Sequence, residues 1–208
     1  MHNNLRSQTQ MRIDEEVLGF ETSIEYLRQK AGLVPSIIGV GTLNFKMDKS
    51  IEALTSRDEK GDFTKGRAGV SRQYDQPKIF IVKKQSKVLQ YVYDNLSKNH
   101  AAVQSPDGTS LFPCEYSLLV IDDEADQASV NTKYKTDRSG EISDDSEVSK
   151  INELIRRILS LFSCRSYVGY TATPYANVFI PPQISDAELE DDLFPKDFIV
   201  CLPKPAGY

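Results

Sequence analysis

The sequence predicts an α/β fold, a three-layer sandwich on a mainly parallel sheet, and two observations predict it. Short apolar runs with strand character alternate along the 208 residues with stretches whose apolar residues recur at helical spacing. The clearest run, Leu118-Leu119-Val120-Ile121, breaks directly into Asp122-Asp123-Glu124-Ala125-Asp126, four carboxylates within five residues. Such a run reads as a strand buried on both faces of a parallel sheet, and ligands of open α/β sheets bind at the carboxyl edge where these acids fall. A carboxylate pair there can hold a magnesium ion through water and orient a nucleophilic water against a nucleoside triphosphate. The plainer reading is that Asp122 or Asp123 caps a following helix.

Taken in order, Asn3 or Asn4 is placed to cap a helix over 5–18, which Gly19 ends. A mixed helix over 23–30 and a strand over 37–43, weakened by Gly39 and Gly41, come next. Residues 48–76 are polar, contain glycine and lack a clear period, so they read as a long loop. Lys78-Ile79-Phe80-Ile81-Val82-Lys83 is a predicted strand, and Ser86 caps a helix carrying Val88, Leu89, Val92 and Leu96. After the acidic strand, residues 131–149 are rich in Ser, Asp, Glu and Lys and are predicted to be a mobile insertion. Ile151, Leu154, Ile155, Ile158, Leu159 and Phe162 mark an amphipathic helix, with Glu153, Arg156 and Arg157 expected on its outer face. Ser166-Tyr167-Val168-Gly169-Tyr170 is a further strand that runs into Thr171-Ala172-Thr173-Pro174, and Phe198-Ile199-Val200-Cys201-Leu202 reads as a last one.

Composition narrows the class. Hydrophobic content of 39% and charged content of 26% describe an ordinary globular protein. No apolar stretch approaches a membrane span and the opening residues have no apolar signal core, so a cytoplasmic protein with no membrane partner is expected. Cys114, Cys164 and Cys201 are widely spaced and His2 and His100 isolated, which supports neither a disulfide framework nor a zinc site. The net charge of −5 is unevenly spread, because 137–147 and 186–192 hold five acids each and only Arg138 as a base. Outside them 20 acids face 24 bases, so the acidic total does not exclude a nucleic-acid partner.

The acidic strand and Thr171-Ala172-Thr173 lie one strand–helix unit apart, where hydroxyls and carboxylates would share a sheet edge. Together they resemble the Walker B box and the Ser/Thr-Ala-Thr box of superfamily-two helicase-like ATPases, with Asp123-Glu124-Ala125-Asp126 spelling the DEAD sequence. Leu5-Arg6-Ser7-Gln8 resembles the end of that group's first nucleic-acid box, Leu-x-x-Gln. Lys84-Gln85-Ser86 occupies the place of its next box but departs from the usual Thr-Pro-Gly. More specifically, Leu5-Arg-Ser-Gln-Thr-Gln10, Ile81-Val-Lys-Lys84, Ile121-Asp-Asp-Glu-Ala-Asp-Gln-Ala-Ser129, Gly169-Tyr-Thr-Ala-Thr-Pro-Tyr-Ala-Asn177 and Asp192-Leu-Phe-Pro-Lys-Asp-Phe198 resemble the Z-one endonuclease domain family. That family is itself similar to superfamily-two ATPases and is associated with bacterial restriction and defence loci.

The resemblance implies a recombinase-like (RecA-like) ATPase lobe over 1–208 that acts on DNA with ATP and Mg2+. In it Asp123 positions the magnesium by way of water and Glu124 orients or deprotonates the attacking water. Asp126 and Gln127 link that site to Thr171, Ala172 and Thr173, while Arg6, Gln8 and Lys84 touch phosphates. The phosphate-binding loop G-x-x-x-x-G-K-[ST] is absent. Residues 61–68 have its glycine spacing, yet Arg67 replaces the lysine and Ala68 the hydroxyl, in the wrong motif order. The loop is expected before Met1 and a second ATPase lobe after Tyr208, so the chain reads as an internal piece whose partners are those segments and other restriction or defence subunits. Without the loop the isolated chain is expected to be inactive. Two other readings stand beside this one. A metal-dependent endonuclease would need Asp122, Asp123 and Lys83 on neighbouring strands, and a non-catalytic remnant or scaffold would need none of these residues.

Overall fold

The structure, a computed structural model, describes residues 3–23, 36–40, 51–65, 76–98, 103–104, 110–127, 146–173, 185–186, 190–191, 193 and 196–203. The chain divides into two compact units, Met1–Pro113 and Cys114–Tyr208. Residues 24–30 of the helix expected over 23–30, residues 41–43 of the strand expected over 37–43, the insertion over 131–145 and the end of the glycine-spaced stretch lie outside the described residues; within 37–40, Ile37 forms an isolated antiparallel bridge with Phe20.

In the first unit, α1 (Asn3–Ile13) runs into a π-helical turn (Asp14–Leu18) that Gly19 ends at φ 75°, its N–H donating to Asp14 O. Glycine adopts that left-handed conformation without a steric penalty, so the predicted stop is where the helix stops. The helix packs by polar chemistry. Arg6, Gln10 and Asp14 recur every four residues on one face and are all fully buried, whereas Leu5, Met11 and Val17 are exposed. Below them Leu18, Phe20 and Ala53 form a small core with Ile13, Ile51 and Ile79 packed against it.

Two short strands, β1 (Glu52–Ala53) and β2 (Lys78–Ile79), pair in parallel, with Lys78 Nζ 2.9 Å from Glu52 Oε2 across the pair. β1 falls inside the stretch the sequence predicts as loop. It is only two residues long, too short to impose a period on its polar flanks. The strand predicted over 78–83 pairs only at Lys78–Ile79; beyond it Ile81 N–H donates to the Thr55 hydroxyl at 2.9 Å. A side-chain oxygen there replaces a ladder partner. α2 (Ser86–Ser97) buries Leu89, Val92 and Leu96 as predicted, but Gln85, not Ser86, holds the cap position, without a side-chain cap. β3 (Val103–Gln104) pairs antiparallel with the start of β4 (Ser110–Asp123).

In the second unit β4 lies hydrogen-bonded beside β5 (Phe162–Tyr170). Their contacts keep one offset: Asp122 meets Tyr167 and Asp126 meets Thr171, each 45 residues apart. A constant offset means the strands run the same way, so β4, α3 (Ser146–Ser160) and β5 form a parallel β-α-β unit. The helix expected from Ile151 begins five residues earlier, at Ser146, within the predicted insertion. Its buried face carries Ile151, Leu154, Ile155, Ile158 and Leu159, and Leu161 alone connects it to β5.

Three expectations are corrected in this unit. Arg156, assigned to the outer face, is only 5% exposed, and with Asn152 one turn earlier it lays a buried polar stripe beside the apolar one. β4 is not buried on both faces, for Leu119 and Ile121 are 60% and 62% exposed while Leu118 and Val120 are half-buried. Residues 198–202 form no strand, and their apolar side chains are exposed. Two further two-residue strands, β6 (Ser185–Asp186) and β7 (Glu190–Asp191), pair antiparallel. The described residues are thus mixed helix and strand, with parallel pairing in each unit, as an α/β class requires.

Candidate functional site

The carboxyl end of β4 is gripped by β5. Tyr167 donates its hydroxyl to Asp122 Oδ2 at 2.7 Å, and Ala125 N–H donates to Tyr170 O at 2.9 Å. Thr171 and Thr173 hydroxyls donate to Asp126 Oδ1 and Oδ2, at 2.7 and 2.5 Å. A further bond, Thr173 N–H to Thr171 Oγ1 at 3.0 Å, holds the two hydroxyls as a pair. Both oxygens of one carboxylate are therefore satisfied by the two threonines of the Thr-Ala-Thr sequence, with Ala172 exposed between them. Hydroxyl bonds to an ionised carboxylate are among the strong ones.

The turn that carries the acids is tight. Glu124 has φ 56°, the only positive value among described residues other than glycine, and its carbonyl accepts from Gln127 N–H at 2.8 Å. Asp123 Oδ1 accepts from Glu124 N–H at 3.1 Å. A side chain with Cβ in this left-handed region costs about 1 kcal/mol, and such residues persist only where surrounding bonds determine the backbone. Here the bonds from β5 to Ala125 and Asp126 do so. Ala125 is 1% exposed, and a Cβ on Gly169 would come within 2.9 Å of Ala125 Cβ. Gly169 is thus glycine because the turn is pressed onto β5 at that point.

The outcome is a division among the four acids. Asp122 is 6% exposed and bonded to Tyr167, Asp126 is half-buried between the threonines, and Asp123 and Glu124 are exposed. Gln127, expected to couple the site to the threonines, is exposed beside this turn, with its backbone bond to Glu124 O. Magnesium keeps most of its water and takes one or two carboxylates, a donor set that the exposed Asp123 and Glu124 fit. Residues able to cradle a triphosphate, by contrast, are not offered by this turn.

The three residues expected to contact nucleic acid are placed differently. Arg6 is fully buried and donates to Ser56 O at 3.0 Å and Asp58 O at 2.6 Å, so its guanidinium ties α1 to the 54–61 loop. Burial lowers its pKa, opposed by the nearby Asp62 and Asp58 carboxylates. Gln8 is exposed on the same helix, and Lys84 is half-buried just before α2. Lys83, the lysine of the endonuclease reading, stands 3.7 Å from Asp62, a carboxylate of its own unit.

Sequence reasoning missed Tyr167 and Gly169 at the acidic turn and Asp14 in the first unit. Asp14 is fully buried and accepts from Gln10 Nε2, the Thr22 N–H and hydroxyl, and Arg57 Nε. Gln10 in turn accepts from Thr55 at 2.8 Å. The signal for Tyr167 was available: once Asp126 is aligned with Thr171 in a parallel pair, the same offset puts Tyr167 beside Asp122. Searches of family models, curated proteins and solved structures find no match to the chain.

Proposed function

We propose that the chain is part of an ATP-dependent, DNA-acting helicase-like or translocase protein of a bacterial restriction or defence system, and that it forms part of a three-layer recombinase-like ATPase lobe. The observation that supports this reading most is the pair of hydrogen bonds from Thr171 and Thr173 to Asp126, beside an exposed Asp123 and Glu124. A motor needs a mechanical link between the acids at its nucleotide and the element that moves against nucleic acid. A carboxylate clamped by two hydroxyls of the segment that follows the next strand is such a link, and a hydrolytic metal site alone has no use for it.

On this reading Asp123 holds magnesium through water, Glu124 orients the attacking water, and the metal, when bound with ATP, neutralises charge on the transferred phosphoryl group. Gln8 and Lys84 contact DNA phosphates, and Arg6 supports Gln8 from inside the fold. The endonuclease reading is weaker, because Asp122 is engaged by Tyr167 and Lys83 by Asp62. This reading includes a cytoplasmic location; separately, among the described residues no helix is long and apolar enough to cross a membrane.

The test is ATP hydrolysis with and without DNA. This 208-residue chain, which carries no phosphate loop, turns over ATP poorly or not at all, whereas a longer protein containing it shows DNA-stimulated turnover that Glu124→Gln abolishes. Robust turnover by the chain itself, or metal-dependent DNA cleavage without nucleotide, would contradict the proposal.

A further inference from the structure

We propose that Tyr167 is a positioning residue for Asp123 and Glu124: by holding Asp122 it fixes the rotation of the last turn of β4 and sorts the four acids into an anchored pair and a presented pair. The inference rests on the proposed role of Asp123 and Glu124 at a divalent cation. Its basis is strand geometry. Asp122 and Asp123 are the final residues of β4, and successive side chains on a strand point to opposite faces. With the Asp122 carboxylate bound at 2.7 Å to a hydroxyl on the neighbouring strand, and 6% exposed, Asp123 is directed to the opposite face, where it is exposed. Three residues on, the Ala125 N–H bond to Tyr170 O and the Asp126 bonds to Thr171 and Thr173 fix the turn's other end. Glu124 lies between these two anchors and takes the φ of 56° that joining them requires.

Without the hydroxyl, four carboxylates within five residues have one anchor fewer against their mutual repulsion. Asp122 then moves toward water, β4 untwists at its end, and Asp123 and Glu124 lose their fixed direction. Tyr167→Phe isolates this effect, since the ring stays and only the donor goes.

Hydrogen exchange at the amides of 123–127 in the metal-free chain decides the proposal. Exchange in Tyr167→Phe is expected to be roughly three- to tenfold faster than in wild type, the worth of one hydrogen bond. In an Asp122→Ala background the effect of Tyr167→Phe is expected to shrink, because this acceptor is already gone. Equal exchange in Tyr167→Phe and wild type overturns the proposal. The second reading is Mn2+ affinity by titration at a temperature where both proteins are fully folded, expected to weaken roughly tenfold in Tyr167→Phe, as for groups that orient a metal ligand. Unchanged Mn2+ affinity despite faster exchange also overturns it, since the bond would then serve structure alone. A wild-type chain that takes up no Mn2+ counts against the metal assignment of Asp123, and the exchange comparison then judges the positioning by itself.

Discussion

Arg6 and Gln8 stand two residues apart on α1 and face opposite environments, one fully buried and one exposed. Removing a buried guanidinium that donates to Ser56 O and Asp58 O takes a donor from each carbonyl and leaves Asp58 O with the Gly61 N–H bond. We therefore expect Arg6→Ala to lower stability by about 3 kcal/mol in denaturant unfolding, through the loss of charged hydrogen bonds and not through DNA binding. Gln8→Ala should change stability by less than about 0.5 kcal/mol. In DNA-binding titrations of the chain against salt, Gln8→Ala and Lys84→Ala should weaken affinity for all sequences alike; removing the Lys84 charge from a phosphate reduces the slope of log affinity on log salt by about 1. If Lys84→Ala leaves the slope where it was, its pairing with phosphate is excluded. At Asp126, Thr171→Val removes a bond to the carboxylate and should cost about 1.5 kcal/mol, an effect that shrinks in an Asp126→Ala background to the loss of the Thr173 N–H bond to Thr171 Oγ1.

Among elements, the pairing of β4 with β5 does most to shape the candidate site. It aligns Asp122 with Tyr167, Ala125 with Tyr170 and Asp126 with Thr171, and it depends on a close approach at Gly169. Gly169→Ala would set two methyl carbons 2.9 Å apart, well inside contact distance. Overpacking of this kind costs about 1–3 kcal/mol, so the variant should melt earlier, and Ala125→Gly should restore most of the loss by giving the new methyl space. Failure of that rescue would show that the methyl meets some other obstacle. α3 was the most legible element because its apolar stripe has a strong helical period. Arg156 was assigned to the wrong side because a charged residue at the margin of a stripe gives no sign that its long stem will be enclosed. The buried face of the predicted first helix escaped pattern analysis for the reverse reason, since its stripe of Arg6, Gln10 and Asp14 is polar.

For the whole molecule the telling feature is apolar surface. Leu119 and Ile121 on β4, Tyr170 on β5, and Phe198, Ile199, Val200 and Leu202 near the end of the chain are all more than half exposed. Exposed strand residues and apolar extended segments favour association between chains. Light scattering of the purified chain should therefore rise with concentration, and Ile121→Lys or Ile199→Lys should reduce it without lowering the melting temperature. Scattering that stays at the monomer value across the range would rule this out. The same exposure explains why β4 and residues 198–202 misled the sequence reading: an apolar run signals only that burial is favourable, not that another layer is present to provide it.

By itself the sequence determined the local features that depend on neighbours along the chain. These are the stop at Gly19, the helical spacings of α2 and α3, and the position of the acids at the end of β4, because period and backbone freedom are properties of a few consecutive residues. Only the tertiary structure decided which of those residues are presented. Arg6 turns inward, Asp122 is taken by Tyr167 and Asp126 by two threonines, and Asp123 and Glu124 are left outward. The physical reason is that a carboxylate or guanidinium has the same composition and the same charge whether it meets water or a hydrogen-bond partner brought from 45 or 50 residues away.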